Sequence, residues 1–308
     1  MWNVVVIPSQ GFANRMRMIA SAYIFAKKMK KELYVCWNAT EHCNININTI
    51  FDKTSMPFKC IDESEITNKK YFFQGHVHTN NIMNNILELK DDYDYVILLG
   101  GHEFIHPAMT LDEYIYEKHK FYENLIYSDI VNNRLNKISL PDKYIGLHYR
   151  DVVDVYDKKD IEQSSACAFN KNSPYNKFIE LLKKIDNKSL DYVVISNNTN
   201  VQKLLSDTFP DKTFHTSGTT LYERNEEESM IHAICDFYII SRSEFIIGTY
   251  QSSFSDEASY LKLISKVMPL SNHIVTSNNY HCVNYKVKNQ LGFLNYDENI
   301  YIKHSLFT

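Results

Sequence analysis

The sequence predicts an α/β protein made of two Rossmann-like halves, and three observations predict it. Short β-branched runs, Val4-Val5-Val6-Ile7 and the stretch Asp94 to Leu99 among them, have the unbroken hydrophobicity of buried parallel strands. Amphipathic stretches of helical period separate such runs, so that strand and helix alternate in both halves of the chain. The length, 308 residues, suits two compact domains of roughly 150 residues each. Pro141-Asp142 carries the strongest boundary signal. It divides the chain into an N-terminal domain over 1–141 and a C-terminal domain over 142–308.

Composition narrows the function. Hydrophobic residues make up 44% and charged residues 23% of the chain, enough for full cores. The net charge of −4 lacks the positive surplus that a general nucleic-acid binder needs, so no nucleic-acid partner is expected. Cysteines 36, 43, 60, 167, 235 and 282 form no C-x-x-C pair and scatter along the whole length. Neither a zinc site nor a disulfide framework is therefore expected, and most should be buried free thiols. No apolar run approaches the roughly 18 residues that span a bilayer. No basic n-region and apolar h-region precede the first strand. The expectation is a cytoplasmic chain with no membrane span.

In the first half, Trp2 to Pro8 is the opening strand. It breaks at Ser9-Gln10-Gly11-Phe12-Ala13-Asn14, and a helix runs from Arg15 to about Lys30, with Met16, Ile19, Ala20, Tyr23 and Ile24 at amphipathic spacing. Such a turn offers free backbone N–H groups and the positive end of a helix dipole, which together favour phosphate. It is neither G-x-G-x-x-G nor a Walker loop, so dinucleotide and P-loop readings lose support. Leu33 to Trp37 and Tyr71 to Phe73 read as further strands, and Asp94 to Leu99 as a strand ended by Gly100-Gly101-His102. His102 and His106 have a familiar ligand spacing. Glu103 completes an H-E-x-x-H pattern, but Pro107 keeps a helix from carrying the pair, so no metal site is expected. Leu111 to Leu140 reads as mostly helical.

The second half opens on its most informative stretch. The strand from Tyr144 to Arg150 ends in His148-Tyr149-Arg150, followed by a loop-like, acid-rich segment from Val152 to Asp160. A strand delivering a basic residue at its carboxyl edge is where open α/β sheets bind anionic ligands. Arginine's planar fork grips two phosphate oxygens and stays charged. Next come a helix over Pro174 to Ile185, a strand over Asp191 to Ser196 ending in Asn197-Asn198, a helix over Val201 to Phe209 and a strand at Lys212 to His215. A helix over Glu227 to Ser241 leads to a strand over Glu244 to Thr249. Then Tyr250-Gln251-Ser252-Ser253-Phe254-Ser255 opens a helix reaching about Ile264. A serine there is an ordinary N-cap, yet two hydroxyls and free N–H groups at a strand-to-helix turn also make a phosphate cradle. Beyond Met268 only short β-like runs are legible, at Tyr280 to Val287 and Ile300 to Lys303.

Three stretches, Gly11-Phe12-Ala13-Asn14-Arg15, His148-Tyr149-Arg150, and Asp236 through Gly248-Thr249-Tyr250-Gln251-Ser252-Ser253-Phe254, stand in an order and at separations that resemble the fucosyltransferase superfamily. That group includes core-fucosylating enzymes, nodulation fucosyltransferases and protein O-fucosyltransferases. The resemblance covers roughly residues 1–30 and 143–265, and the helix–strand unit from Asp236 to Gly248 is its most specific element.

The resemblance implies a GT-B architecture, two Rossmann-like domains facing across a cleft, and a metal-independent inverting transfer of fucose from GDP-fucose to a glycan or protein hydroxyl. By the same resemblance Arg150 would hold the donor diphosphate, His148 would lie against the nucleotide, and Ser252, Ser253 and Phe254 would line the phosphate turn. Gly11 and Asn14 would reach in from the first domain, and Asn197, Asn198 and Asp236 would complete the nucleotide site. The resemblance implies no resident cofactor. A general base would come from the acids after Arg150, with Asp154 and Asp157 as candidates. Two positions depart from the pattern. Core-fucosylating relatives have a second Arg where Asp151 stands, and relatives often carry Asp where this chain has Asn197-Asn198. Another nucleotide-sugar donor, or a non-catalytic glycan- or nucleotide-binding role, are the alternatives, whereas a hydrolase lacks its G-x-S-x-G elbow.

Overall fold

The computed structural model describes residues 2–76, 85–89, 92–151, 172–185, 190–216, 225–250, 252–269 and 274–277. These form two compact units: the chain up to Asn133 with a return that ends at Ile234, and a second that begins at Arg134 and resumes at Cys235.

In the first unit, β1 (Asn3–Pro8), β2 (Leu33–Val35), β3 (Lys59–Cys60), β4 (Tyr71–His76) and β5 (Tyr95–Gly100) form one parallel sheet in the order β3-β2-β1-β5-β4. Val4, Val5, Val6, Val96 and Leu98 are wholly inaccessible, as the continuous hydrophobicity of their strands requires. Helix α1 (Phe12–Lys28) starts three residues earlier than its pattern predicts and buries Met16, Ile19 and Ala20. Short helices α2 (Ile47–Ile50) and α3 (Glu63–Thr67) precede α4 (Leu111–Asn124), which a Thr110–Glu113 capping box starts. The expected helix from Leu111 to Leu140 is interrupted before α5 (Asp129–Leu135). The intervening residues pair with the loop after α2 instead: Ile126 O accepts from Asp52 N–H, Ile50 O from Ser128 N–H, and Tyr127 bridges Phe51.

In the second unit, β6 (Tyr144–Tyr149), β7 (Asp191–Ser196), β8 (Thr213–His215), β9 (Ile246–Gly248), β10 (Lys266–Pro269) and β11 (Ile274–Ser277) lie in the order β11-β10-β9-β6-β7-β8. All neighbours are parallel except β11, which pairs antiparallel with β10. Helices α6 (Tyr175–Ile185), α7 (Thr199–Thr208), α8 (Glu227–Ile240, from Cys235 on in this unit) and α9 (Ser253–Lys262) follow the expected positions within a few residues. Every residue of β6 is buried. Leu147, Phe178, Leu182, Tyr192, Val194, Ile247 and Val267 form one apolar cluster.

Both sheets have a point where the strand order reverses. In the first it lies between β1 and β5, in the second between β6 and β9. At such a point the connections leave in opposite directions and open a crevice outside the carboxyl ends of the strands, where ligands of open α/β sheets bind. Both Gly11 and the His148–Arg150 pair sit just there in their own units. Among the described cysteines Cys36, Cys43 and Cys235 are buried free thiols and Cys60 an exposed one. Burial pushes the Cys36 thiol up to about 11 and that of Cys235 up to about 12.

Candidate functional site

The second unit's reversal point joins two segments that are far apart in sequence. Gly248 pairs with His148 at the end of the β6–β9 ladder. One residue on, Thr249 N–H donates to His148 O at 3.0 Å, and the Thr249 hydroxyl donates to the same carbonyl at 3.3 Å. That hydroxyl in turn accepts from Arg150 N–H at 2.8 Å. The His-x-Arg strand end and the start of the Thr249–Phe254 turn are therefore hydrogen-bonded to each other, and α9 begins four residues after Thr249.

His148 is buried and stacks on Phe254, with ring centroids 5.0 Å apart and planes at 26°; Phe254 meets Phe237 edge-on at 5.4 Å. Burial first, and then the positive charges of Lys266 and Arg150, hold the imidazole well below its ordinary pKa. It is therefore neutral at physiological pH. Its Nδ1 is buried and has no hydrogen-bond partner among the described residues, a condition that buried polar atoms rarely tolerate without a ligand or water. Arg150 itself is half-buried.

Ser252 is the N-cap residue of α9 and is 3% exposed, yet its side chain makes no capping bond. Its backbone N–H donates to Thr249 O, and its carbonyl accepts from Asp256 N–H. Ser253 opens the helix, whose first-turn amides lack intrahelical partners and carry the positive end of the dipole. A phosphate group is the kind of ligand such a helix terminus can hold.

The residue that underpins this turn carried no motif. Lys266, the first residue of β10, is 1% exposed; its Nζ donates to Thr249 O at 3.0 Å and pairs with Asp256. Gly248 makes room for it: a Cβ at 248 would lie 2.7 Å from Lys266 Cε and 2.7 Å from Ser255 Oγ. The only signal in the sequence was a lysine opening the short run Val267-Met268.

Asn197 and Asn198 stand at the end of β7, beside β6, with their amides engaged. Asn197 accepts from Asp151 N–H and donates to Asp151 O, both at 2.8 Å. Asn198 caps α7 by accepting from Asn200 N–H at 2.9 Å and donates to the Asp151 carboxylate. Asp236 is 2% exposed and accepts from the Thr216 hydroxyl. Asp154 and Asp157 lie outside the described residues, as do the β-like runs expected after Met268.

In the first unit Gly11 is the N-cap residue of α1 in extended backbone, and a Cβ there would meet nothing nearer than His42 O at 3.9 Å. Asn14 donates to Gln10 Oε1 at 2.7 Å, with Gln10 in the left-handed region at φ 70. Gly101 packs under this turn, since a Cβ there would lie 2.9 Å from Ser9 O and 3.0 Å from Asn14 Cβ. Arg15 is wholly buried: Nε donates to Gln10 O at 2.8 Å, and its two terminal nitrogens donate to Asn38 O and to Thr40 Oγ1. His106 is also buried, accepting from Ala108 N–H at 3.0 Å and packing on Phe25.

No protein-family profile and no curated protein matches this chain. Solved structures do. A NodZ α-1,6-fucosyltransferase soaked with GDP-fucose superposes with a TM-score of 0.63 at 13% identity, over 91% of this chain and 100% of the other. The fold is that of the solved fucosyltransferases. The fucosyltransferase NodZ from Bradyrhizobium gives 0.62 at 12% identity, over 91% of this chain and 99% of that one. A substituted FUT1 of Arabidopsis thaliana in complex with GDP gives 0.58 at 12% identity, over 87% and 70%. The fucosyltransferase fold, α/β with two mostly parallel sheets, thus accounts for nearly the whole chain. None of the described helices is long and apolar enough to cross a membrane.

Proposed function

We propose that the protein is a glycosyltransferase that transfers fucose from GDP-fucose to a hydroxyl of a glycan or protein, with inversion and without a metal. The observation that carries the reading is the joint between the His148–Arg150 strand end and the Thr249–Ser253 turn at the reversal point of the second sheet. In this reading Arg150 and the start of α9 take the donor diphosphate, and Ser252 and Ser253 add hydroxyl donors. As the sugar–phosphate bond breaks, negative charge grows on the departing diphosphate. Fixed donors stabilise that charge without reorganising. His148, neutral and stacked on Phe254, offers Nδ1 to the nucleotide rather than a second positive charge.

The second unit would carry the donor and the first, through Gly11 and Asn14, the acceptor side. Asp154 or Asp157 would take the proton of the attacking hydroxyl. A cytoplasmic location belongs to the same proposal and is supported by the free thiols at Cys36, Cys43, Cys60 and Cys235, which suit a reducing compartment. The test is a thermal-shift screen against GDP, UDP, CMP and their sugars. Stabilisation by GDP and GDP-fucose that disappears in Arg150→Ala supports the proposal. Stabilisation by UDP or CMP instead rejects the fucose donor, and binding of GDP-fucose without turnover on any hydroxyl acceptor leaves a binding protein.

A further inference from the structure

The two asparagines at the end of β7 are a departure from the pattern the chain resembles, and their bonds suggest what they do. The β6–β7 ladder ends with Tyr149 paired to Ser196. The next backbone step would pair Arg150 with Asn197, but the Asn197 side chain takes over instead. Its amide N–H donates to Asp151 O and its amide oxygen accepts from Asp151 N–H, each at 2.8 Å. A primary amide has the same donor and acceptor as a peptide group, so this two-point clip acts as one more rung of the sheet. Asn197 is itself set by its surroundings. Asn198 N–H donates to Ser196 Oγ at 3.1 Å while the Asn198 side chain caps α7 and holds the Asp151 carboxylate. On the other flank of β6, Arg150 N–H donates to the side-chain hydroxyl of wholly buried Thr249, and Lys266 donates to the backbone carbonyl of the same threonine. The backbone is thus anchored at Arg150 from β9 and at Asp151 from β7.

We propose that Asn197 is a positioning residue for Arg150. Its side-chain amide fixes the backbone just past the arginine, so that the guanidinium meets a diphosphate from a preset base and less of its freedom is lost on binding. The inference rests on the reading of Arg150 as the ligand of the donor diphosphate. It assigns to Asn197 the diphosphate end of the donor and not the nucleobase, which an amide in this place would otherwise be expected to read.

One substitution separates these roles. Asn197→Asp keeps the size and the acceptor but cannot donate to Asp151 O and sets a carboxylate against that carbonyl. A carboxylate, by contrast, accepts from the paired N–H donors of guanine at least as well as an amide does. Affinity for GDP and for inorganic pyrophosphate is measured by calorimetry on the whole chain, for the unaltered protein, Asn197→Asp, Asn197→Ser, Arg150→Ala and the double variant Arg150→Ala/Asn197→Asp. Melting of the ligand-free proteins is followed alongside, so that affinities are compared only below the onset of unfolding.

The expected result is a loss of about tenfold in Asn197→Asp, shared by GDP and pyrophosphate, a similar loss in Asn197→Ser, and no further loss when the change is added to Arg150→Ala. A merely structural role would lower affinity in the Arg150→Ala background as well. Unchanged or tighter GDP binding in Asn197→Asp overturns the inference. So does a loss confined to GDP with pyrophosphate unaffected, or an equal loss in the absence of Arg150. If Asn197→Asp does not fold, Asn197→Ser decides by the same comparison. Binding of UDP in place of GDP by the unaltered chain rejects the fucose donor alone, and the clip is then judged on UDP and pyrophosphate. Absence of any diphosphate binding overturns both.

Discussion

At Arg150 the main chain is committed before the side chain does anything. Its N–H is held by Thr249 and its successor by Asn197. Charge-assisted hydrogen bonds are worth roughly 1.5–3 kcal/mol, so Arg150→Ala is expected to weaken GDP binding about 10- to 100-fold, read by calorimetry. Lys266 is a wholly buried cation bonded to Thr249 O and Asp256. Lys266→Met strands the Asp256 carboxylate and should cost about 3–5 kcal/mol in denaturant unfolding, part of which Asp256→Leu in the same chain should restore. A destabilisation below 1 kcal/mol would mean that the Asp256 carboxylate reaches water.

His148 links this corner to pH. Its pKa in the folded protein is depressed by burial and by the neighbouring cations, whereas in the unfolded chain it is near 6.5. Above that value both states are neutral and the shift contributes nothing. As pH falls through about 6.5 the unfolded state takes up a proton that the folded state refuses, so stability declines by up to about 1.4 kcal/mol per pH unit. The decline continues until the folded pKa is reached. His106 and His215 are lowered in the same direction by burial, so His148→Asn should flatten the fall of Tm between pH 6.5 and 5 without abolishing it. A slope unchanged by the substitution would place His148 in contact with solvent.

At the scale of elements, strands were legible and their surroundings less so. Unbroken β-branched hydrophobicity located β1, β5, β6 and β7 to within a residue or two, because strands buried on both faces admit little else. The same reasoning overran at Leu111 to Leu140. The period there is helical, but the chain between α4 and α5 hydrogen-bonds to residues 50–52, a pairing 70-odd positions away that periodicity cannot register. β10 escaped notice because its first residue is a lysine, which no pattern of buried strands predicts. Gly248 is the element-scale consequence: Gly248→Ala forces a methyl group against Lys266 and Ser255 at 2.7 Å. Overpacking of this kind costs about 1–3 kcal/mol, expected as a lower denaturant midpoint at unchanged slope.

For the molecule as a whole, the candidate site is legible to the extent that it lies on single stretches of chain. His148, Arg150, Ser252, Ser253 and Phe254 are marked by strand ends and a helix start, and the fold brings both stretches to one sheet edge. What could not be read is the wiring between them. Thr249 joining two strand ends, Lys266 under the turn and Asn197 clipping Asp151 are contacts over 17 to 99 positions, made by side chains whose types are ordinary in any loop. Asn197-Asn198 enters the nucleotide site by resemblance alone, and the sequence carries no sign that both side-chain amides bond to Asp151.

Arg15 has a consequence for the order in which the first unit comes apart. A guanidinium with no exposed surface cannot readily release its acceptors one by one, because each acceptor lost would leave a cationic donor unsatisfied. Those acceptors come from Gln10, Asn38 and Thr40. The beginning of α1 and the loop 23 to 25 positions downstream should therefore open together or not at all, as one cooperative block. In native-state hydrogen exchange the amides of both segments should report the same opening free energy, and in Arg15→Met they should separate.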